Sequence, residues 1–340
     1  MCPGNVRVAV EAHERAREDG GQVREAFAEH ELTVTDAVDA ETDVLTLVGE
    51  TRFFLSRLAE LPDPPPVLLL SNEGLGVLAE AQAGEAEEVA RALAEGRSGR
   101  TQTLRMECEV GDERWLALNE AAVLPQQNGT FLDVDVKVDG ELLWHDRGDG
   151  TIVCTPTGST AYALSAGGPA VLSAADVLTV VPVCSEEDHP PIVSPSASMI
   201  TLANPESGSG VELVVDGHRR VSIDEDVTIK GTGRRLTLVR LSEREHGHLL
   251  GRVRLKREIG SELADAPPSA RFIYKLLEYE GPMTPSEIAR QSGLTSRTVR
   301  SSLGKLTELG YVVKRASLRD ARTEVYDVAE RAGLNAGERG

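Results

Sequence analysis

Gly148-Asp149-Gly150-Thr151-Ile152-Val153-Cys154-Thr155-Pro156-Thr157-Gly158-Ser159-Thr160-Ala161-Tyr162, running on through Leu164-Ser165-Ala166-Gly167-Gly168-Pro169, is the stretch on which the fold turns. Residues 151–154 have the length and apolarity of a short buried strand, after which the chain enters a turn crowded with hydroxyls and glycines. Small donors and a closely approachable backbone suit an anionic or ribose-bearing ligand. Around this stretch apolar residues recur with a period of two: Leu104, Met106 and Cys108, then Phe131, Val134, Val136 and Val138, with further runs at 211–215, 221–229 and 236–239. Asp-Gly pairs at 139–140, 149–150 and 216–217 read as hairpin turns. Together these features predict a β-rich domain over residues 101–255.

Upstream, residues 1–100 alternate strand and helix. Residues 6–10, 44–48 and 67–70 are compact Val/Leu runs of the kind buried in a parallel sheet. Residues 11–29 and 52–61 are expected to be helical, and the prolines of 62–66 end the second helix. The expected fold class is therefore α/β, an open α/β domain followed by the β-rich one. Ligands of such sheets sit at the strand-end loops.

The chain has 340 residues, of which 40% are hydrophobic, with no apolar run of transmembrane length and no basic-then-apolar leader. A soluble, cytoplasmic protein is expected. Four cysteines, at 2, 108, 154 and 184, form no CxxC pair, and the histidines show no metal-ligand spacing, so neither a disulfide framework nor a metal site is expected. The net charge of −19 disfavours nonspecific binding of polyanions by the whole surface. That average hides a reversal near residue 250: residues 1–250 carry −23 and residues 251–340 carry +4. Few basic residues are lysines, and the acidic part is rich in alanine, glycine and short carboxylates, a composition that resembles cytoplasmic proteins of salt-accumulating archaea.

A linker is expected over 256–268, a small domain over 269–330 and a flexible tail over 331–340. Phe272, Ile273, Leu276 and Leu277 form the inward stripe of a first helix. Thr284, Pro285 and Glu287 make a capping-box start for a second, and Gly293 turns the chain. Thr295 caps a third helix, with Val299, Leu303 and Leu306 or Leu309 inward. Two short strands at 311–313 and 325–328 follow, joined by a basic loop. This order resembles the winged helix-turn-helix of bacterial and archaeal regulators. The resemblance implies DNA contact by Ser296, Arg297, Arg300, Ser301 and Lys305 in the groove and by Lys314, Arg315, Arg319 and Arg322 on the wing. The alternative is a module for dimerisation or protein contact with those residues merely solvated.

The 148–169 stretch closely resembles the signature of the NAD kinase family, which phosphorylates the adenosine ribose 2'-hydroxyl of NAD. Other segments agree in order over about residues 1–250. Asn72-Glu73-Gly74-Leu75-Gly76-Val77-Leu78 resembles the family's Asn-x-Gly-x-Leu-Gly-Phe-Leu, with one residue less around Gly74. Leu118-Asn119-Glu120 matches its dinucleotide-binding Asn-Glu pair, and Asp216-Gly217-His218 resembles a later Asp-Gly-Gln. The resemblance implies that NAD or NADP is held among Asn72, Asn119, Glu120, Asp149, Thr155, Thr157, Ser159, Thr160, Ala161, Tyr162 and Asp216. As residues alone, Asp149 and Asp216 are equally ordinary turn residues, and Tyr162 fits a core role.

The departure lies at the family's Gly-Gly-Asp-Gly-Thr. Here the matching place reads Val48-Gly49-Glu50-Thr51-Arg52, so one glycine survives, the aspartate becomes Glu50, and Val48 and Thr51 obstruct close approach of a phosphate. Three functions follow from these features. The first is a nucleotide-responsive DNA-binding regulator on a catalytically degenerate NAD-kinase-like domain, working as a homodimer or homotetramer away from membranes. The second is an atypical NAD kinase in which Glu50 replaces the usual aspartate, with ATP and magnesium as its cofactors. The third is a scaffold with neither activity.

Overall fold

The computed structural model describes residues 6–72, 78–127, 129–241, 253, 263, 266–280, 282–292, 294–316 and 324–329. Strand and helix alternate first: β1 (Arg7–Ala12), α1 (Arg17–Glu29), β2 (Thr33–Thr35), β3 (Val44–Gly49), α2 (Thr51–Ala59), β4 (Val67–Ser71), β5 (Ala81–Gln82) and α3 (Ala86–Ala94). The strands pair in parallel. Every residue of β3 and β4 is buried, as unbroken Val/Leu runs require of strands covered on both faces. α1 and α3 cover one face through Val23, Phe27, Val89 and Leu93, and α2 covers the other through Phe54, Leu55 and Leu58. Full burial of each such leucine, valine or phenylalanine contributes about 1.5–3 kcal/mol. The helix expected from residue 11 begins as an α-helix only at Arg17, because Glu11 and Ala12 continue β1 opposite Leu47 and Val48.

The β-rich region holds β6 (Gly99–Val110), β7 (Glu113–Ala117), β8 (Glu120–Pro125), β9 (Leu132–Val138), β10 (Glu141–Gly148), β11 (Gly150–Cys154), the one-turn helix α4 (Tyr162–Ser165), β12 (Val177–Val183), β13 (Ile192–Pro195), β14 (Ile200–Glu206), β15 (Val211–Val215), β16 (Arg219–Ile223) and β17 (Val227–Arg240). One antiparallel sheet has the order β13-β12-β11-β8-β15-β16. The facing sheet runs β10-β9-β14-β17, with β6 on β17 and β7 on β6. Between them lie Leu104, Met106, Val134, Val153, Leu213 and Ile229. The α/β layer and this sandwich share a sheet: β17 runs on until Leu238 pairs with Val67 of β4.

Two expectations are corrected here. Phe131 is 43% exposed beneath the Arg147 guanidinium rather than inward, since it is out of phase with Leu132, Val134 and Val136, which fill the core. Asp149-Gly150 is no hairpin turn: β10 belongs to one sheet and β11 to the other, so the chain changes sheets there. The pairs at 139–140 and 216–217 do link the antiparallel neighbours β9–β10 and β15–β16.

The C-terminal region comprises α5 (Pro268–Glu280), α6 (Pro285–Ser292), α7 (Ser296–Glu308), β18 (Val312–Ala316) and β19 (Glu324–Val328). Ile273, Leu277, Ile288, Val299, Leu303 and Leu306 make its core. Phe272 leaves the expected stripe and is 44% exposed, one residue off the face set by Ile273. The capping box forms as its residue types require: the Thr284 amide donates to Glu287 Oε2 at 2.8 Å and the Glu287 amide to Thr284 Oγ1 at 3.2 Å. Thr295 caps α7 by accepting from the Thr298 amide. Met283 bridges Tyr326, adding a rung to the β18–β19 ribbon. Residues 73–77, Gly293, Arg319, Arg322 and the tail lie outside the described residues, as does most of the expected linker.

Candidate functional site

The turn after β11 is built against the segment that enters β8. The Thr155 amide donates to Asn119 O at 2.9 Å, its hydroxyl donates to Leu118 O, and the Gly158 amide donates back to Thr155 Oγ1. Ser159 Oγ donates to Pro156 O and accepts from the Val171 amide, while Thr157 Oγ1 meets Thr103 Oγ1. Thr155, Thr157, Ser159 and Thr160 are all buried. The hydroxyls of Thr155, Thr157 and Ser159 therefore help to hold the turn together. Gly158 is small for the same reason, since a Cβ there would stand 2.1 Å from Asn119 O.

Asp216 braces that segment from the other side. Its Oδ2 accepts from the Leu118 amide at 2.8 Å, and its Oδ1 from Asn119 at 2.7 Å and Glu120 at 3.1 Å. Burial pushes the Asp216 carboxyl up to about 6, against the three amides that pull it down. Asp216 thus positions Asn119 and Glu120 from within. Its backbone carbonyl also meets His218 Nδ1. Burial holds His218 below its usual range, and the charges of Arg52 on α2 and of Arg219 lower it further. Leu118 shares a core with Leu47, Phe54, Leu69 and Leu78, so the segment abuts the α/β layer beside α2 and the end of β4.

Asn119 Oδ1 on this segment and Asn72 Oδ1 just after β4 are buried and accept no hydrogen bond among the described residues. A buried acceptor without a donor costs about 1–3 kcal/mol. The amide, amine and hydroxyl donors of a dinucleotide fit that need. Among the other expected residues, Ala161 and Tyr162 are half-buried, with Tyr162 packed on the outer core of the β8–β11 sheet. Asp149 is exposed, its carboxylate against the Cys184 thiol, which burial and then Asp149 push up.

The corner between β3 and α2 has another character. Glu50 is the N-cap residue of α2 but makes no capping bond. Its Oε1 accepts from Arg315 Nη1 at 2.7 Å, and Arg15 Nη1 lies 3.8 Å away. A Cβ on Gly49 would meet the Phe53 ring at 2.8 Å and His13 Cβ at 3.0 Å. The surviving glycine makes room for the Phe53 ring.

Arg105 escaped the sequence reading. It is 2% exposed, and its guanidinium donates to Leu58 O, Leu61 O and Pro62 O at the C-terminal end of α2. Burial pulls its pKa down, with Asp63 and Asp216 opposing. The only signal available was position: Arg105 alternates with Leu104 and Met106 on β6, a pattern shared by any solvated strand arginine.

On α7, Ser296, Arg297, Arg300, Ser301 and Lys305 are all exposed, Lys305 beside Glu308. Lys314 is exposed and paired with Glu324. Arg315, expected to face DNA, is instead turned onto Glu50 and Asp327, with its side chain 13% exposed.

A family model described as the ATP-NAD kinase C-terminal domain matches residues 118–237, and one described as the MarR family matches residues 267–323. The NAD kinase of Methanosarcina acetivorans is 32% identical over 211 residues, covering 60% of this chain and 76% of that protein. That of Clostridium botulinum strain Eklund 17B is 30% identical over 213 residues, or 60% and 75%. Among solved structures, an NAD kinase from Archaeoglobus fulgidus in complex with ATP superposes with a TM-score of 0.60 at 27% identity, covering 74% of this chain and 98% of that one. Yeast NADH kinase complexed with NADH shares the fold, with a TM-score of 0.63 at 20% identity over 74% and 88%. The chain belongs to the NAD kinase family and carries a MarR-type winged-helix domain fused behind the kinase-like fold.

Proposed function

We propose that the chain is a nucleotide-responsive DNA-binding regulator whose kinase-like domain binds NAD or NADP without phosphorylating it. The observation that carries this is Asn119, whose Oδ1 is buried and accepts no hydrogen bond among the described residues, on a segment held by Asp216 and the Thr155 turn. Phe53 against Gly49 and the Arg315 pair on Glu50 speak against phosphoryl transfer at the β3–α2 corner. The exposed arginines of α7 fit the groove-facing role of a winged helix, and such modules read palindromic sites as pairs. Nucleotide and DNA are coupled only insofar as the ligand favours one domain arrangement over another.

The kinase alternative is favoured by family membership and by a carboxylate, Glu50, at the end of β3 where the family places its aspartate. Calorimetric titration with NAD, NADP and ATP at high salt, followed by a test for magnesium-dependent NADP formation, separates the two. Dinucleotide binding without turnover is the expected result. NADP formation that disappears in Glu50→Gln would make the enzyme primary, and silence in both assays would sink nucleotide sensing.

A further inference from the structure

The contact between Arg315 and Glu50 joins residues 265 positions apart, one on the wing strand β18 and one at the N-terminus of α2. The three charged side chains are mostly covered, at 13% exposure for Arg315, 18% for Glu50 and 16% for Asp327. Strand alternation explains the orientation: Lys314 faces solvent, so its neighbour Arg315 faces the opposite side of the ribbon, toward the α/β layer. A phosphate brought to this guanidinium would meet the carboxylates of Glu50 and Asp327, at 2.7 and 3.8 Å from it. Burial, with Glu50 adding to it, holds the Asp327 carboxyl above its usual range, while Arg315 opposes.

We propose that Arg315 and Glu50 form an autoinhibitory latch: the wing docks on the kinase-like domain, and DNA and Glu50 compete for the same guanidinium. This rests on the DNA-binding half of the function proposed above. Charge favours the docked form, because the region carrying α2 is strongly acidic and the region carrying the wing is basic. The same acidic domain held beside the wing repels a phosphate backbone. Glu50 is also the residue at the corner where the family's aspartate lies, so the latch places wing release at the edge of the nucleotide domain.

The test uses the full chain with two readouts. One is amide exchange of residues 51–59 and 312–316 with neither DNA nor nucleotide present; the other is affinity for a fluorescein-labelled 30-base-pair duplex of random sequence. Glu50→Gln keeps the side chain's size and removes the charge. It is expected to raise exchange in both segments and to tighten duplex binding about threefold to tenfold, the range of a partly covered ion pair. Glu41→Gln removes the same charge before β3 rather than after it and is expected to change neither. Arg315→Gln is expected to raise exchange in both segments as well, while binding the duplex more weakly than Glu50→Gln. Unchanged exchange and unchanged affinity in Glu50→Gln overturn the latch. Faster exchange with no duplex bound by any form refutes the DNA-binding reading instead, and with it the competition.

Discussion

Replacing Gly158 by alanine tests whether the glycine of the Thr-Gly-Ser turn serves packing or ligand approach. A Cβ at this position would lie 2.1 Å from Asn119 O, 2.4 Å from Asn119 C and 2.6 Å from Asn119 Cα. A carbon–oxygen contact is relaxed near about 3.3 Å, so the turn and the segment entering β8 must separate by more than about 1 Å. The obstacle is backbone, held by the Thr155 amide bond to Asn119 O and by the Asp216 carboxylate, and it cannot swing aside as a side chain would. Overpacking of this kind costs about 1–3 kcal/mol, and loss of the Thr155–Asn119 hydrogen bond adds about 1 kcal/mol. The expected destabilisation is therefore about 2–4 kcal/mol, which lowers Tm by about 5–15 °C for a unit of this size. Trp115, buried in the sandwich core, reports the transition by fluorescence. Gly84→Ala, where no atom lies within 4 Å, is the control and is expected to shift Tm little. Dinucleotide affinity should fall together with stability in Gly158→Ala, because Asn119 moves. A variant with unaltered Tm and selectively lost binding would refute the packing argument and return Gly158 to the ligand.

Asp216 holds its proton to about 6 in the folded chain against an ordinary value of 3.8, so folding takes up a proton between those values. Its contribution to stability is then largest below about pH 4 and declines as pH rises through about 6; urea unfolding across this window should show wild type losing stability relative to Asp216→Asn. Arg105→Ala leaves three carbonyls at the end of α2 without their donor and opens a buried space. It is expected to cost about 3–5 kcal/mol by denaturant unfolding, whereas a loss below about 1 kcal/mol would mean that α2 is held by its apolar face alone. Arg297→Ala and Arg300→Ala should each weaken duplex binding and reduce the slope of log affinity against log salt by about 0.9 if each neutralises one phosphate; an unchanged slope would place both residues off the DNA.

Much of the architecture was legible because it rests on short-range rules. The Val/Leu runs of β3 and β4 could only be covered on both faces, the alternation of Leu104, Met106 and Cys108 marked a strand, and Thr284 with Glu287 marked a helix start from local hydrogen bonding alone. Phe131 and Phe272 were misplaced because hydrophobicity was read ahead of phase, and in each case the neighbouring residue holds the inward position.

The sequence by itself determined most of the elements and the motif that marks the family, since propensity, periodicity and capping act over a few residues. Only the tertiary structure decided what each polar group does. The hydroxyls of Thr155 and Ser159 take backbone partners, and which partner arrives at a polar group depends on contacts between positions as distant as 118 and 216 or 50 and 315. Burial then sets the worth of each contact: Asp216 as a brace, Arg105 as the anchor of α2 and Arg315 as a latch all depend on desolvation, which no local pattern records.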